Sequence, residues 1–194
     1  MIPRLVVASK NQDKIGEIEA VLGDVGLVGE IVQGLDWPDV DETGSTLEEN
    51  ALLKARAVME AAGLPAVADD TGLEVAALEG RPGVETGRYA GPDASYSDNV
   101  RRLLGEMEGV ADRTARFRTV VALVMPDGAS LVAEGALDGL ITTKPRGSGG
   151  FGYDPVFEVE GRTLSEMGVE TKNMLSHRAK ALQTLAGMLG MGEE

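Results

Sequence analysis

The chain has 194 residues, enough to bury a sizeable core, and a formal net charge of −14 from 18 Lys+Arg against 32 Asp+Glu. It lacks Cys and has one His, which excludes a disulfide scaffold, thiolate zinc centres, CxxC redox chemistry, a cysteine nucleophile and multi-histidine metal sites. The carboxylate excess argues against a basic groove for DNA or RNA, yet it admits a small anionic ligand bridged to carboxylates by a divalent cation.

Residues 5–8, Leu-Val-Val-Ala, predict a buried first strand. The apolar stretch around them is too short for a signal segment, and no run is long enough to span a membrane, so a soluble cytoplasmic protein is expected. A helix follows, with Ile15, Ile18 and Leu22 on one face. Residues 36–49 are polar and acidic and read as a loop. Thr46 and Glu49 match a capping box, the hydroxyl accepting from the Glu49 amide while the carboxylate reaches back to the cap. The helix so opened carries Leu47, Ala51, Ala55, Val58 and Ala62, and Gly63 stops it. Residues 65–68 predict a short strand ending at Asp69 and Asp70.

Further along, residues 98–107 predict an amphipathic helix with Val100, Leu103, Leu104 and Met107 inward. A long strand over 116–125, a turn at Asp127-Gly128 and a strand over 130–133 predict a hairpin. A glycine-rich loop over 147–152 precedes a short strand at 155–157. The last helix starts near Ser176, its N-cap, and turns Ala179, Leu182, Leu185, Ala186 and Leu189 inward. Early crossovers and a late hairpin predict an α/β fold with a mixed central sheet flanked by helices. Aliphatic side chains must fill it, since the aromatics are only Trp 1, Tyr 3 and Phe 3.

Three polar clusters fall at strand or helix ends, where ligand crevices of α/β sheets form. Ser9, Lys10, Asn11, Gln12, Asp13 and Lys14 lie between a strand and a helix N-terminus, a place that favours an anion. Its plain alternative is a connecting loop capped by Asn11. Asp69 and Asp70 repel each other unless a cation or donor offsets them, which favours a metal or base role over a simple turn. Asp39, Asp41 and Glu42 of the acidic loop can complete such a site. Residues 147–152 match GxGxxG literally, but the motif comes late and Pro155 and an apolar strand follow it rather than a helix, so a dinucleotide fingerprint is rejected. The loop suits Phe151 and Tyr153 presented to a flat base. Lys172, His177 and Arg178 gather near the last helix, and His177 and Arg178 can donate to a carbonyl oxygen. No P-loop and no GxSxG elbow are present.

In order, Ala8-Ser9-Lys10-Asn11 with Lys14, Glu42-Thr43-Gly44, Glu49-Asn50-Ala51 with Lys54, Ala68-Asp69-Asp70-Thr71-Gly72, Arg88-Tyr89-Ala90-Gly91, Gly150-Phe151-Gly152-Tyr153-Asp154-Pro155, Lys172-Asn173 and Ser176-His177-Arg178 run through almost the whole chain. Together they resemble the Ham1/RdgB family of inosine triphosphate pyrophosphatases, which act on non-standard purine nucleoside triphosphates. The resemblance implies one such domain over residues 1–194, two lobes with a nucleotide cleft between them, and a homodimer. It implies hydrolysis of ITP, dITP and XTP to the monophosphate and pyrophosphate. Asp70 is implied as base and Mg²⁺ ligand, with Asp41 as the acidic-loop ligand and Asp39 and Glu42 as competitors. Ser9, Lys10, Asn11, Gln12, Asp13, Lys14 and Lys54 are implied at the phosphates. Phe151, Gly152, Tyr153, Asp154, Lys172, His177 and Arg178 are implied at the base and nucleotide. Thr71 retains the hydroxyl of the family's usual Ser, while Thr86-Gly87 departs from its usual Ser-Ala. The competing expectations are a Maf-like pyrophosphatase of other base specificity and a non-catalytic nucleotide-binding module. The segments 176–178 and 151–154 argue against the first, and Lys54, Asp69 and Asp70 against the second.

Overall fold

The computed structural model describes residues 1–26 and 28–191. Its elements run β1 (Ile2–Val7), α1 (Gln12–Val25), β2 (Val28–Val32), α2 (Leu47–Ala62), β3 (Ala66–Val75), β4 (Pro82–Gly83), α3 (Tyr96–Glu106), β5 (Thr114–Val124), β6 (Ser130–Ile141), β7 (Phe157–Val159), β8 (Arg162–Thr163), α4 (Val169–Leu175) and α5 (His177–Met191). The strands pair in the order β2-β1-β3-β5-β6-β7-β8, with β4 also on β3. β1 is parallel to β2 and β3, while β4 on β3 and the run β6-β7-β8 are antiparallel. The fold is the mixed-sheet α/β class expected from the early crossovers and the late hairpin. Among the described residues, no helix is long and apolar enough to cross a membrane.

The chain divides into two compact units. One comprises Met1–Asp70, Thr119–Gly135 and His177–Glu194; the other comprises Thr71–Arg118 and Ala136–Ser176. In the first unit α1 begins where the Asn11 side chain accepts from the amides of Asp13 and Lys14, and it ends at Gly26 in the left-handed region. Its Ile18, Val21 and Leu22 pack with Leu5, Val7, Val67, Val121, Leu123, Ala179, Leu182 and Leu185. The second unit has its own core, built on Leu73, Val75, Leu103, Met107, Leu137, Val156 and Leu164. Within it the Phe117 and Phe157 rings lie 4.5 Å apart at a 46° tilt. A capping box between Ser95 and Asp98 starts α3.

Several local expectations are corrected. The strand expected to stop before the aspartates continues through them to Val75. The second hairpin strand runs on to Ile141 instead of stopping near 133. Pro155 and Val156 belong to a turn, with the Val156 amide donating to Tyr153 O at 2.9 Å, so the short strand starts at Phe157. At α2 only half of the Thr46 box forms. Thr46 Oγ1 accepts from the Glu49 amide at 3.1 Å, but the Glu49 carboxylate goes to the amide and hydroxyl of Ser45, at 2.6 and 2.8 Å. β2 and α4 were not anticipated; β2 has no fully buried residue to mark it, and α4 is only seven residues long.

Within the first unit α5 approaches β6 at Gly135. A Cβ there would stand 2.2 Å from His177 O and 2.4 Å from Ala181 N, so only a bare backbone fits. Gly135→Ala is expected to lower stability by about 1–3 kcal/mol through overpacking. Gly16, inside α1 with nothing within 4 Å of an added Cβ, gives the opposite sign. Gly16→Ala is expected to stabilise by about 0.5–1 kcal/mol. Urea unfolding of the two variants beside wild type checks both signs.

Candidate active site

Successive residues of a strand project to opposite faces. Because β3 continues through Asp69 and Asp70, its pleat separates two carboxylates that are adjacent in sequence. Asp69 joins Val67 on the face that carries α1 and α5. Its Oδ2 accepts from Nε and Nη2 of Arg178, both at 3.1 Å, and lies 3.2 Å from Lys14 Nζ. Arg178 Nη1 donates in turn to Glu17. The side chains of Asp69 and Arg178 are 1% and 3% exposed. Burial alone would push the Asp69 carboxyl up, but Lys14, Arg178 and Lys54 outweigh it and hold the group far below the usual carboxylate range. Asp69 is therefore an anchor that is ionised at neutral pH, its Oδ2 engaged by donors from Arg178 and Lys14.

Asp70 faces the side that carries α2. Its Oδ1 accepts from Lys54 Nζ at 3.0 Å and its Oδ2 from Asn50 Nδ2 at 3.3 Å. Lys54 Nζ also donates to Glu42 Oε1 at 2.8 Å, so one ammonium serves two carboxylates. Burial and then the nearby Glu42 charge push the Asp70 carboxyl up against the pull of Lys54 and Lys14. Burial works against the Lys54 ammonium, but Asp70, Asp69 and Glu42 outweigh it and hold its pKa above the ordinary value. Asp70 thus has the raised proton affinity that suits a base, while Asp69 does not.

The acidic loop is tied to this group through Asn50, which is fully buried. Asn50 Oδ1 accepts from the Gly44 amide at 2.8 Å, and a Cβ on Gly44 would meet that oxygen at 2.6 Å. Asn50 and Lys54 are four residues apart on the buried stripe of α2 that holds Leu47, Ala51, Ala55 and Val58. Sequence reasoning assigned Asn50 no role; a polar residue on an apolar helical stripe was the signal for it. Glu17, one turn before Val21 on α1, was missed as well. Of the acidic-loop candidates, Glu42 is the one joined to Asp70 by a shared partner. Asp41 is exposed, and Asp39 pairs with Lys10 at 2.6 Å on the surface. Among the described residues no three His, Cys, Asp or Glu side chains converge as a ready-made metal cage. A two-carboxylate set fits a Mg²⁺ ion, which commonly takes one or two carboxylates and completes its shell with substrate phosphates and water.

The Ser9–Lys14 segment is a tight entry to α1. Asn11 N donates to Ser9 Oγ at 3.2 Å, and Asn11 Oδ1 accepts from the amides of Asp13 and Lys14 at 3.0 and 3.3 Å. Gln12 and Asp13 are exposed in the first turn of α1. Those two helix amides are engaged by the cap, and both lysines of the segment are paired, Lys10 with Asp39 and Lys14 with Asp69, with burial pulling the Lys14 ammonium's pKa down. His177, in the first turn of α5, is buried, and its Nδ1 is 2.5 Å from Thr119 Oγ1. Arg178, expected at a base carbonyl, is instead committed to Asp69 and Glu17.

In the second unit the glycine-rich loop is organised by Asp154. Its Oδ2 accepts from Phe151 N at 2.8 Å and from Lys172 Nζ at 2.6 Å, and both side chains of that ion pair are buried. Gly150 has φ +72°, and a Cβ on it would meet the same Oδ2 at 2.1 Å. Lys172 Nζ also lies 4.6 Å from the Phe151 ring centroid. Tyr96 tilts against Phe151, its centroid 5.9 Å away. Tyr153 is buried, with its hydroxyl donating to Thr86 O at 3.1 Å, so it supports the loop from beneath. Gly152 and the half-buried Phe151 are the accessible part of the predicted segment, and Thr71 is half-buried on β3.

Asp69→Asn removes one partner of a buried pair and is expected to cost about 3–5 kcal/mol of stability at neutral pH. The native carboxyl has a depressed pKa, so its contribution is complete above the unfolded value of about 4 and is lost as pH falls below it. Urea midpoints across a pH series should show a constant gap between wild type and variant above about pH 5, narrowing below about pH 4.

A family model described as the Ham1 family matches residues 5–188. A Methylococcus capsulatus protein named dITP/XTP pyrophosphatase is 50% identical over 194 residues, covering 96% of each chain. One of the same name from Geobacter sulfurreducens is 47% identical over 192 residues, again covering 96% of each. The solved HAM1 protein from Coxiella burnetii superposes with a TM-score of 0.87 at 39% identity, covering 98% of this chain and 100% of its own. The conserved length and fold leave one assignment: the chain belongs to the Ham1 family.

Proposed function

We propose that this chain is a nucleoside triphosphate pyrophosphatase that hydrolyses ITP, dITP and XTP to the monophosphate and pyrophosphate, cleansing the nucleotide pool. The observation that carries the reading is Asp70, a buried carboxylate with raised proton affinity, held from two sides by Lys54 and Asn50. The name dITP/XTP pyrophosphatase, borne by relatives along nearly their whole length, supports the substrate class.

In this reaction Asp70 takes a proton from water as its oxygen attacks the α-phosphorus, and the bond from that phosphorus to the bridging oxygen breaks to release pyrophosphate. Lys10, Lys14 and Lys54, with Ser9, Asn11, Gln12 and Asp13 around them, receive the phosphates. Asp70 and the acidic loop, through Asp41 and Glu42, would hold Mg²⁺, which when bound supplies Lewis-acid polarisation and charge neutralisation. Thr71 supplies a hydroxyl beside the base. Phe151 and Gly152 offer a flat face for the purine, and Tyr153, Asp154 and Lys172 hold that face in place. His177 is the donor for a carbonyl at C6; adenine presents an amino group there and leaves such a donor unpaired. Arg178 acts at one remove, by fixing Asp69 and with it the strand that aims Asp70. The same reading makes the protein a cytoplasmic homodimer acting on free nucleotides.

Pyrophosphate release with Mg²⁺ from ITP, dITP, XTP, ATP, GTP and dTTP tests the proposal. The first three should be strongly preferred, with the monophosphate as nucleotide product. Equal rates on dTTP and dITP overturn the specificity, and formation of the diphosphate and phosphate overturns the reaction. Asp70→Asn is expected to lower kcat by about 10²–10⁴-fold, and retained turnover would remove Asp70 as the base.

A further inference from the structure

Within the second unit, where β6 ends, a pocket of about 260 Å³ is lined by Arg113, Thr142, Thr143, Lys144, Arg146 and Glu158 together with Leu140 and Ile141. A water molecule needs only about 10–15 Å³ in comparable terms, so a hydrated ion fits. In a chain of net charge −14, three cations on one small pocket stand out.

Their partners differ. Among the described residues Arg113 donates only to backbone carbonyls: to Ile141 O and Thr142 O on one side, and to Met107 O and Val110 O on the other. Its charge is thus fixed in place with no carboxylate paired to it among the described residues. Arg146 Nη2 donates to Glu158 at 2.7 Å and to Gly161 O at 3.3 Å. Its Nε lies 3.4 Å from Glu166 without a hydrogen bond. Among the described residues no acceptor takes Arg146 Nη1, Lys144 Nζ or the Thr143 hydroxyl. The segment bearing these donors is preorganised, because Thr142 Oγ1 donates to Lys144 O at 2.9 Å and the Arg146 amide to Pro155 O at 2.8 Å. Among the described lining residues Glu158 is the one acidic group; Arg146 faces it and Glu166, so the uncompensated positive charge comes from Arg113 and Lys144, and Arg146 contributes its free Nη1 as a donor.

We propose that this pocket is a binding site for a small phosphate-class oxyanion, held by Lys144 Nζ, Arg146 Nη1 and the Thr143 hydroxyl and favoured by the fixed charge of Arg113. None of these residues is assigned to the nucleotide, so the site is additional to the active site and does not depend on the proposed reaction.

The test is backbone-amide NMR of the full chain titrated with inorganic phosphate at constant ionic strength. The amides of Thr142, Thr143, Lys144 and Arg146 should shift saturably, separately from those of residues 9–14. Lys144→Glu, at an exposed side chain, should weaken that binding by about tenfold or more. It should leave the melting temperature and dITP turnover unchanged. Methyl phosphate is the second probe: binding as tight as phosphate indicates the phosphoryl end of a larger molecule, and binding only of phosphate indicates the free ion. Unmoved 142–146 amides under saturating phosphate, or an unaltered affinity in Lys144→Glu, overturn the proposal.

Discussion

Asp69 and Asp70 stand side by side on β3, both nearly excluded from water, and carboxylates so placed repel each other unless each is offset. The pleat of the strand separates the problem into two. On one face Asp69 meets an arginine and a lysine at close range, and its negative charge becomes a structural fixture. On the other, Asp70 meets a single lysine that it shares with Glu42, and an excess of negative charge remains. One residue is compensated and the other left poised, and strand periodicity alone decides which is which.

This division determines where the few cations of an acidic chain are needed. Lys14 and Arg178 come from α1 and α5, the helices that pack together in the core of the first unit. The ion pair and the apolar contacts therefore depend on the same docking, and removing a partner leaves a buried charge that the surrounding leucines and valines cannot solvate. Lys172 repeats the pattern in the second unit, where its pairing with Asp154 orders a glycine-rich loop that has few side chains of its own to do so. The net charge of −14 is thus an average over a solvated acidic surface and an interior where a few shared cations offset the buried carboxylates.

The parts of the fold legible in the sequence were those with a repeating signal. The apolar stripes of α1, α2, α3 and α5 and the first long hairpin strand appear near their expected places, because burial of one face imposes a period, while the second hairpin strand starts where expected but runs eight residues further. What was misjudged lacked such a period or was overridden by a local partner. Asp69 and Asp70 looked like the end of a strand because aspartate disfavours strands, yet buried cations on both faces reverse that preference. Glu49 looked like half of a capping box, but the amide and hydroxyl of Ser45 bind it more fully than the cap does. At the site, residue types were legible while pairings were not. Lys54 and Asp70 are sixteen residues apart, and Arg178 and Asp69 more than a hundred, so only the folded chain tells that Arg178 belongs to Asp69.

Arg178 and Lys54, two of the three basic residues beside the aspartates, also differ in kind, and the difference follows the division between them. Arg178 presents a planar fork, and two of its nitrogens reach the same Asp69 oxygen while a third reaches Glu17. Such a group holds geometry well and exchanges partners poorly. Lys54 is a compact charge on a flexible stem, bound to Glu42 and Asp70 with no directional fork. On the proposed function a triphosphate competes for that same ammonium, and a lysine can turn from carboxylate to phosphate oxygen by rotating its own side chain. An arginine at 54 would lock Asp70 as firmly as Arg178 locks Asp69, and a lysine at 178 would leave the strand beneath the base loosely aimed. The fixed fork belongs under the anchor and the mobile charge beside Asp70, the proposed base.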